Sequence, residues 1–232
     1  MMRLKNLKGL IFDVHRTLVD DSGFPRDRIW RLLKESGVNL DMSKYYALYD
    51  DLTKEYFKWS KINPFISIRE IHRRRLKDIY QSYGINRDIE KDVNFLWDCM
   101  GTSQVYPEVA EVLSAIPGRY KIGLLSNADF DDPLVEKLIK DGYKFDVIVT
   151  SFQLKKYKPD PVLFSFVLEK MKLTTDEVVM IGDSAESDIQ GARNAGIKII
   201  WINRTNKRLE PHYPDPDFQI SDLTELEDII EF

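Results

Sequence analysis

Lys8-Gly9-Leu10-Ile11-Phe12-Asp13-Val14-His15-Arg16-Thr17-Leu18-Val19-Asp20 is the stretch from which the fold can be read. Leu10, Ile11 and Phe12 form an apolar run without polar alternation. That is the pattern of a strand buried on both faces, and so of a central strand in a parallel sheet. The run stops at a carboxylate, Asp13. In open α/β sheets ligands bind just beyond the carboxyl ends of the strands, which makes Asp13 a candidate nucleophile or metal ligand. An aspartate that caps a turn or a helix accounts for the same stretch equally well.

Working outward, Pro107 opens a regime of alternating strands and helices. Strands are expected at Tyr120–Ser126, Phe145–Thr150, Val178–Ile181 and Ile197–Ile202, with an edge strand at Phe218–Ile220. Helices are expected at Glu108–Ile116, Pro133–Asp141, Pro161–Lys172 and Asp188–Ala195, with a closing one near Leu223–Ile230. This alternation is the signature of right-handed crossovers and a doubly wound parallel sheet.

Between the first strand and this region the texture differs, because from Phe24 to Gly101 the apolar residues recur at helical spacing. One helix starts near Pro25, carries Ile29, Trp30, Leu32 and Leu33, and ends at Gly37. A second follows Ser43 with Tyr46, Tyr49, Leu52, Tyr56 and Trp59, and stops before Pro64. Ser67 and Glu70 form a capping-box pattern for a third, which runs to Gly84. A fourth spans Asp88 to Met100. Four helices on short connections suggest a bundle. The fold class is thus α/β: a doubly wound, Rossmann-like parallel sheet from residues 1–19 and 104–232, with a helical-bundle domain at 20–103.

The 232 residues, 43% of them hydrophobic, suffice for a proper core. A net charge of −4 offers no global attraction to nucleic acid or to an anionic membrane. The single cysteine, Cys99, excludes an internal disulfide framework and fits a reducing cytosol. On its apolar helical stretch Cys99 reads as core. No apolar run approaches the ~20 residues needed to span a bilayer. Met1-Met2-Arg3-Leu4-Lys5-Asn6 carries no signal-peptide core. A cytoplasmic monomer or homodimer without nucleic-acid or membrane partners is expected.

Each core strand ends in polar residues, and the set is coherent. The first ends in Asp13, the second in Ser126-Asn127, and the third leads through Ser151 to Lys158-Pro159-Asp160-Pro161. The fourth ends in Gly182-Asp183-Ser184, with Asp188 following. A carboxylate, a hydroxyl, an ammonium and an acidic pair on one sheet edge suit a divalent cation and an anionic group in transfer. Each member has a plainer reading. Ser126 and Asn127 would cap the next helix, Lys158 would be a solvated lysine before a proline turn, and Asp188 would favour a helix dipole.

This ordered set resembles the haloacid dehalogenase superfamily, whose members are mostly phosphatases. The resemblance rests on Asp13 with Thr17, Ser126, Lys158-Pro159-Asp160-Pro161, and Ile181-Gly182-Asp183-Ser184 with Asp188-Ile189-Gln190-Gly191-Ala192. It makes the helical insert a cap that encloses the site and selects the substrate. It implies a Mg2+-dependent hydrolase of small phosphorylated metabolites working through an aspartyl-phosphate on Asp13. Asp13 and Asp183 would be direct metal ligands together with the backbone carbonyl of His15, and Asp188 would help hold the ion. Ser126, Asn127 and Lys158 would hold the phosphoryl oxygens, and Thr17 would order the loop.

The chain departs from the family pattern at two positions. The residue two beyond the nucleophile, usually a second aspartate acting as acid and base, is His15, and Arg16 stands where glycine is usual. Three readings follow. His15 substitutes as general acid and base, since an imidazole near pKa 6.5 suits both roles. Alternatively the chemistry needs no such acid, as in the superfamily's metal-independent displacement of halide from a small haloacid. In the third reading the protein binds a phosphorylated ligand and turns over poorly. Arg16 either faces solvent or reaches an anionic substrate. In the insert, Arg73-Arg74-Arg75 reads as a solvated helix face, Tyr45, Tyr46, Tyr49, Tyr56, Phe57 and Trp59 as mostly bundle core, and His72 and His212 as surface or capping residues.

Overall fold

The computed structural model describes residues 3–38, 41–62, 64–116 and 118–231. Met1 and Met2 of the N-terminal stretch lie outside the described residues. The chain divides into two compact units, Met1–Asp20 with Gln104–Phe232, and Asp21–Ser103.

In the first unit the apolar run becomes β1 (Gly9–Phe12), buried at every residue. A two-residue strand, β2 (Val19–Asp20), follows. The chain re-enters this unit at β3 (Gln104–Val105), antiparallel to β2. That pair was not anticipated, because two residues are too few to show a period. There follow α1 (Val109–Ala115), β4 (Lys121–Ser126), α2 (Pro133–Lys140), β5 (Val147–Thr150) and the four-residue α3 (Ser151–Leu154). α4 (Pro161–Met171), β6 (Val178–Gly182), α5 (Gln190–Asn194), β7 (Lys198–Ile202), β8 (Phe218–Ile220) and α6 (Leu226–Ile229) complete it.

The six-stranded sheet has the order β5-β4-β1-β6-β7-β8, and every pairing is parallel. This is the doubly wound sheet read from the sequence. β1 sits at its centre, with Phe12 in register with Leu124 on one side and Ile181 on the other. The chain winds outward to β5, then returns past β1 to start β6 on its far side. That reversal is a topological switch point, where the crevice at the carboxyl edge holds ligands in folds of this kind. On one face Ile11, Leu125, Val149, Met180 and Ile199 pack with Phe164, Val167 and Met171 of α4 and Ala192 of α5.

Two elements differ from the periodicity. Asp188 does not open an ordinary helix: Ala185–Ile189 is a π-helical turn that runs into α5. The closing segment starts as a 3-10 turn at Leu223–Glu225 before α6.

The second unit is a bundle of α7 (Arg26–Glu35), α8 (Met42–Ile62), α9 (Ile68–Tyr83) and α10 (Ile89–Met100). Its core joins Ile29, Leu32 and Leu33 to Tyr45, Tyr49, Leu76, Ile79, Val93 and Leu96. Ser67 caps α9 by accepting the Glu70 amide at 3.2 Å, while the Glu70 carboxylate accepts from Arg73 and from Arg74 at 2.8 Å. Two expectations fail here. Arg75 is not solvated: it is buried, donates to the Tyr49 hydroxyl, and lies 4.5 Å from that ring's centroid. His72 is buried as well, edge-on to Phe24 and Trp97. Both point inward because the stripe of a 3.6-residue helix takes in Ile71, His72, Arg75, Leu76 and Ile79 together. Cys99 is partly buried. No helix among the described residues is long and apolar enough to cross a membrane.

Candidate active site

Asp13 continues β1 by one residue, its amide donating to Ile181 O at 2.9 Å. The parallel register therefore sets it beside the ends of β4 and β6. The residue is 5% exposed, with Oδ2 3.5 Å from the Thr17 hydroxyl and Oδ1 accepting from Lys158 Nζ at 2.6 Å.

Lys158 is 3% exposed, so it is no solvated lysine. Its ammonium also donates to Asp188 Oδ1 at 2.6 Å and to Leu125 O at 2.9 Å, which uses its three N–H groups. Burial works against the charge, but Asp13 and Asp188 outweigh it, and the Lys158 pKa is raised. Its backbone is clamped by Asn127, whose Oδ1 accepts the Lys158 amide at 2.7 Å while its Nδ2 donates to Lys158 O at 3.4 Å. The side-chain amide of Asn127 thus holds the lysine loop. Neither Asn127 nor Ser126 caps the helix after β4, because Asp132 does. The Ser126 hydroxyl is buried and has no hydrogen-bond partner among the described residues. A buried hydroxyl left in that state calls for an explanation, and an anionic oxygen at the strand end supplies one.

Asp188 is fully buried. The π-helical turn carries it back toward β6, where Oδ2 accepts the Ser184 amide at 2.9 Å. Turns of this kind recur at functional sites. Asp188 passes so close to the strand that a Cβ on Gly182 would lie 2.4 Å from its Cγ. Gly182 is what lets the carboxylate reach Lys158. Ser184 itself caps the turn by accepting the Ser187 amide, and Trp201 Nε1 fixes Asp183 by donating to its carbonyl at 2.8 Å.

Asp13, Asp183 and Asp188 each place a carboxylate oxygen within 4.8 Å of the others. Burial pushes the Asp183 carboxyl up to about 7, against the pull of Arg16, and Asp13 adds to the rise. Burial raises Asp188 too, opposed by Lys158. Three carboxylates thus crowd two cations, one of them the half-exposed Arg16, whose Nε is 3.0 Å from Asp183 Oδ2. A surplus of hard oxygen donors on one sheet edge fits a magnesium ion. Arg16 holds a left-handed backbone, φ 54°. That conformation suits glycine and costs other residues about 1–2 kcal/mol.

His15 lies in the same loop, its Nε2 3.8 Å from Asp132 Oδ2. The loop is pinned by Arg204, which donates to Arg16 O at 3.2 Å and Thr17 O at 2.9 Å and pairs with Glu108 at 2.6 Å. Asp132, Arg204 and Trp201 were not singled out from the sequence. The helix expected there begins at Pro133, one residue past Asp132, and neither Arg204 nor Trp201 belongs to a motif. His212, by contrast, is exposed, as expected.

A model of the haloacid dehalogenase-like hydrolases matches residues 7–196. N-acylneuraminate-9-phosphatase of Mus musculus is 27% identical over 239 residues, covering 97% of this chain and 94% of the relative. A pyrimidine 5'-nucleotidase of Escherichia coli is 35% identical over 127 residues, 53% of this chain and 56% of its own. Among solved structures, a magnesium-bound hydrolase of this kind from Bacillus subtilis superposes with a TM-score of 0.79 at 21% identity, covering 98% of this chain and all (100%) of that one. The L-2-haloacid dehalogenase of Xanthobacter autotrophicus gives 0.78 at 19% identity, covering 96% and 97%. The strand order, the convergence of Lys158, Asp183 and Asp188 on Asp13 and the family match over most of its length agree: this chain belongs to the haloacid dehalogenase-like hydrolases.

Proposed function

We propose that the protein is a magnesium-dependent phosphatase of small phosphorylated metabolites, acting through an aspartyl-phosphate on Asp13. The observation that carries this reading is the acid surplus of Asp13, Asp183 and Asp188 around Lys158. Halide displacement needs neither a cation nor a proton donor, and would leave that surplus without a use. The full-length relatives point the same way by name, as phosphatases of an N-acylneuraminate, of pyrimidine nucleotides and of glyceraldehyde 3-phosphate. The four-helix insert takes the part of a cap.

In this reading Asp13, Asp183 and the backbone carbonyl of His15 would hold the metal, with Asp188 in support. The bound ion would offset repulsion between Asp13 and the phosphoryl oxygens. Lys158 holds Oδ1 of Asp13 and so aims the carboxylate. A carboxylate oxygen of Asp13 attacks phosphorus, and the bond from phosphorus to the leaving oxygen breaks. Protonated His15 gives that oxygen its proton. Neutral His15 then takes a proton from the water that attacks the aspartyl-phosphate. The bond from phosphorus to the Asp13 oxygen breaks, freeing inorganic phosphate and regenerating the carboxylate. The Ser126 hydroxyl donates to a phosphoryl oxygen throughout.

The test is phosphate release from a panel of sugar-acid, nucleotide and triose phosphates, with and without magnesium, beside halide release from 2-haloacids. Magnesium-dependent phosphate release that Asp13→Asn abolishes is expected. His15→Ala should lower turnover of alkyl phosphates by roughly 10²–10⁴-fold, the worth of a general acid. Metal-independent halide release, or phosphate release that survives Asp13→Asn, would overturn the reading.

A further inference from the structure

We infer that Asp132 is the positioning partner of His15, a buried carboxylate that holds the ring N–H so that His15 and Asp132 together stand in for the missing second aspartate. This rests on the reading of His15 as acid and base.

Asp132 is 2% exposed. Its Oδ1 accepts the amides of Leu134 at 3.0 Å and Val135 at 3.2 Å, and so caps α2. Capping asks nothing more of the side chain, and serine or asparagine would do it as well. Oδ2 is nevertheless buried, has no hydrogen bond among the described residues, and faces His15 Nε2 at 3.8 Å. A carboxylate oxygen kept dry beside an imidazole is costly unless the imidazole answers it.

Both groups are held from behind. Asp132 is fixed by the first turn of α2, and the His15 loop by Arg204 together with the Arg16 amide, which donates to Val19 O at 2.8 Å. The separation is longer than a hydrogen bond, as catalytic pairs often are before substrate binds. A movement of about 1 Å brings it within the range of a charged hydrogen bond. With Nε2–H given to Asp132, Nδ1 becomes the nitrogen that exchanges the proton, and the carboxylate offsets the positive ring formed on the way.

Asp132→Asn keeps a strong cap and removes the charge, and Asp132→Ser keeps the cap without a second oxygen. Two readouts separate positioning from capping. The first is the tautomer of His15 by nitrogen-15 NMR of the histidine-labelled protein, which has three histidines in all. Predominant Nε2–H is expected, with loss of that preference in both variants. The second is turnover of an alkyl phosphate against p-nitrophenyl phosphate, whose leaving group needs little proton. The alkyl-to-aryl ratio should fall by on the order of tenfold or more in either variant, short of the loss from removing the acid itself, with the melting temperature held. An unchanged tautomer and an unchanged ratio would reduce Asp132 to a cap and overturn the inference. If His15→Ala also leaves the ratio unchanged, it is the acid–base reading that fails, and the tautomer still decides whether the pair exists.

Discussion

Replacing Lys158 by methionine keeps the unbranched side chain, one atom shorter, and removes a charge with three partners. Those partners are Asp13 and Asp188 at 2.6 Å each and Leu125 O at 2.9 Å, at a residue 3% exposed. Removing one side of a buried ion pair costs about 3–5 kcal/mol, because the remaining charge is left without compensation. At roughly 2–4 °C per kcal/mol for a chain of this size, the melting temperature should drop by about 6–20 °C at pH 8. The loss should depend on pH in a definite sense. Burial already raises Asp188, and without Lys158 it rises further. A carboxyl whose folded pKa exceeds its unfolded value contributes stability that is intact below the unfolded value. That contribution is lost as pH rises through the folded one. The gap between variant and parent should therefore be widest at pH 8 and shrink toward pH 5. Adding Asp188→Asn should recover a large part of the stability but not phosphate release, since Asp13 is still unaimed. Calorimetry across this range checks the first claim and a phosphate assay the second. A single variant as stable as the parent at pH 8, or a gap that widens as pH falls, would refute the account of the cluster.

Gly182→Ala would put a methyl 2.4 Å from Asp188 Cγ. Asp188 must yield by about 1 Å, which should cost about 1–3 kcal/mol by overpacking and on the order of 10² in turnover. Parent-like melting and turnover would show that the close approach is not needed. Burial holds the Asp183 carboxyl near 7, far above an ordinary aspartate. In the presence of chelator, stability should be fully present below pH ~4 and fall as pH rises through about 7, by up to about 4 kcal/mol. Magnesium should flatten that slope, because it binds the ionised carboxylate. Urea unfolding from pH 4.5 to 8, with chelator and with magnesium, gives the comparison, and a flat profile in chelator would contradict it.

Much of this protein is written locally. The unalternating run at Leu10–Phe12 specified a buried central strand, because a period of two would have marked a half-exposed one. The periodicity and caps of residues 24–101 marked out the bundle. Asp13, Ser126, Lys158 and Asp183 were legible because a doubly wound sheet brings the carboxyl ends of its strands to one edge. Arg75 and His72 were misread because arginine and histidine sit on exposed faces more often than on the buried stripe they occupy here.

From sequence alone came the family, the sheet and the identity of the residues at its edge, since periodicity, capping and strand-end chemistry are local. Tertiary structure alone decided what each of them touches. Lys158 uses its three N–H groups on protein oxygens, Asn127 serves the lysine's backbone, and Asp188 needs the missing side chain of Gly182. His15 faces Asp132, 117 residues further along the chain. Such pairings depend on which strands the crossovers set side by side, and no window of sequence contains both partners.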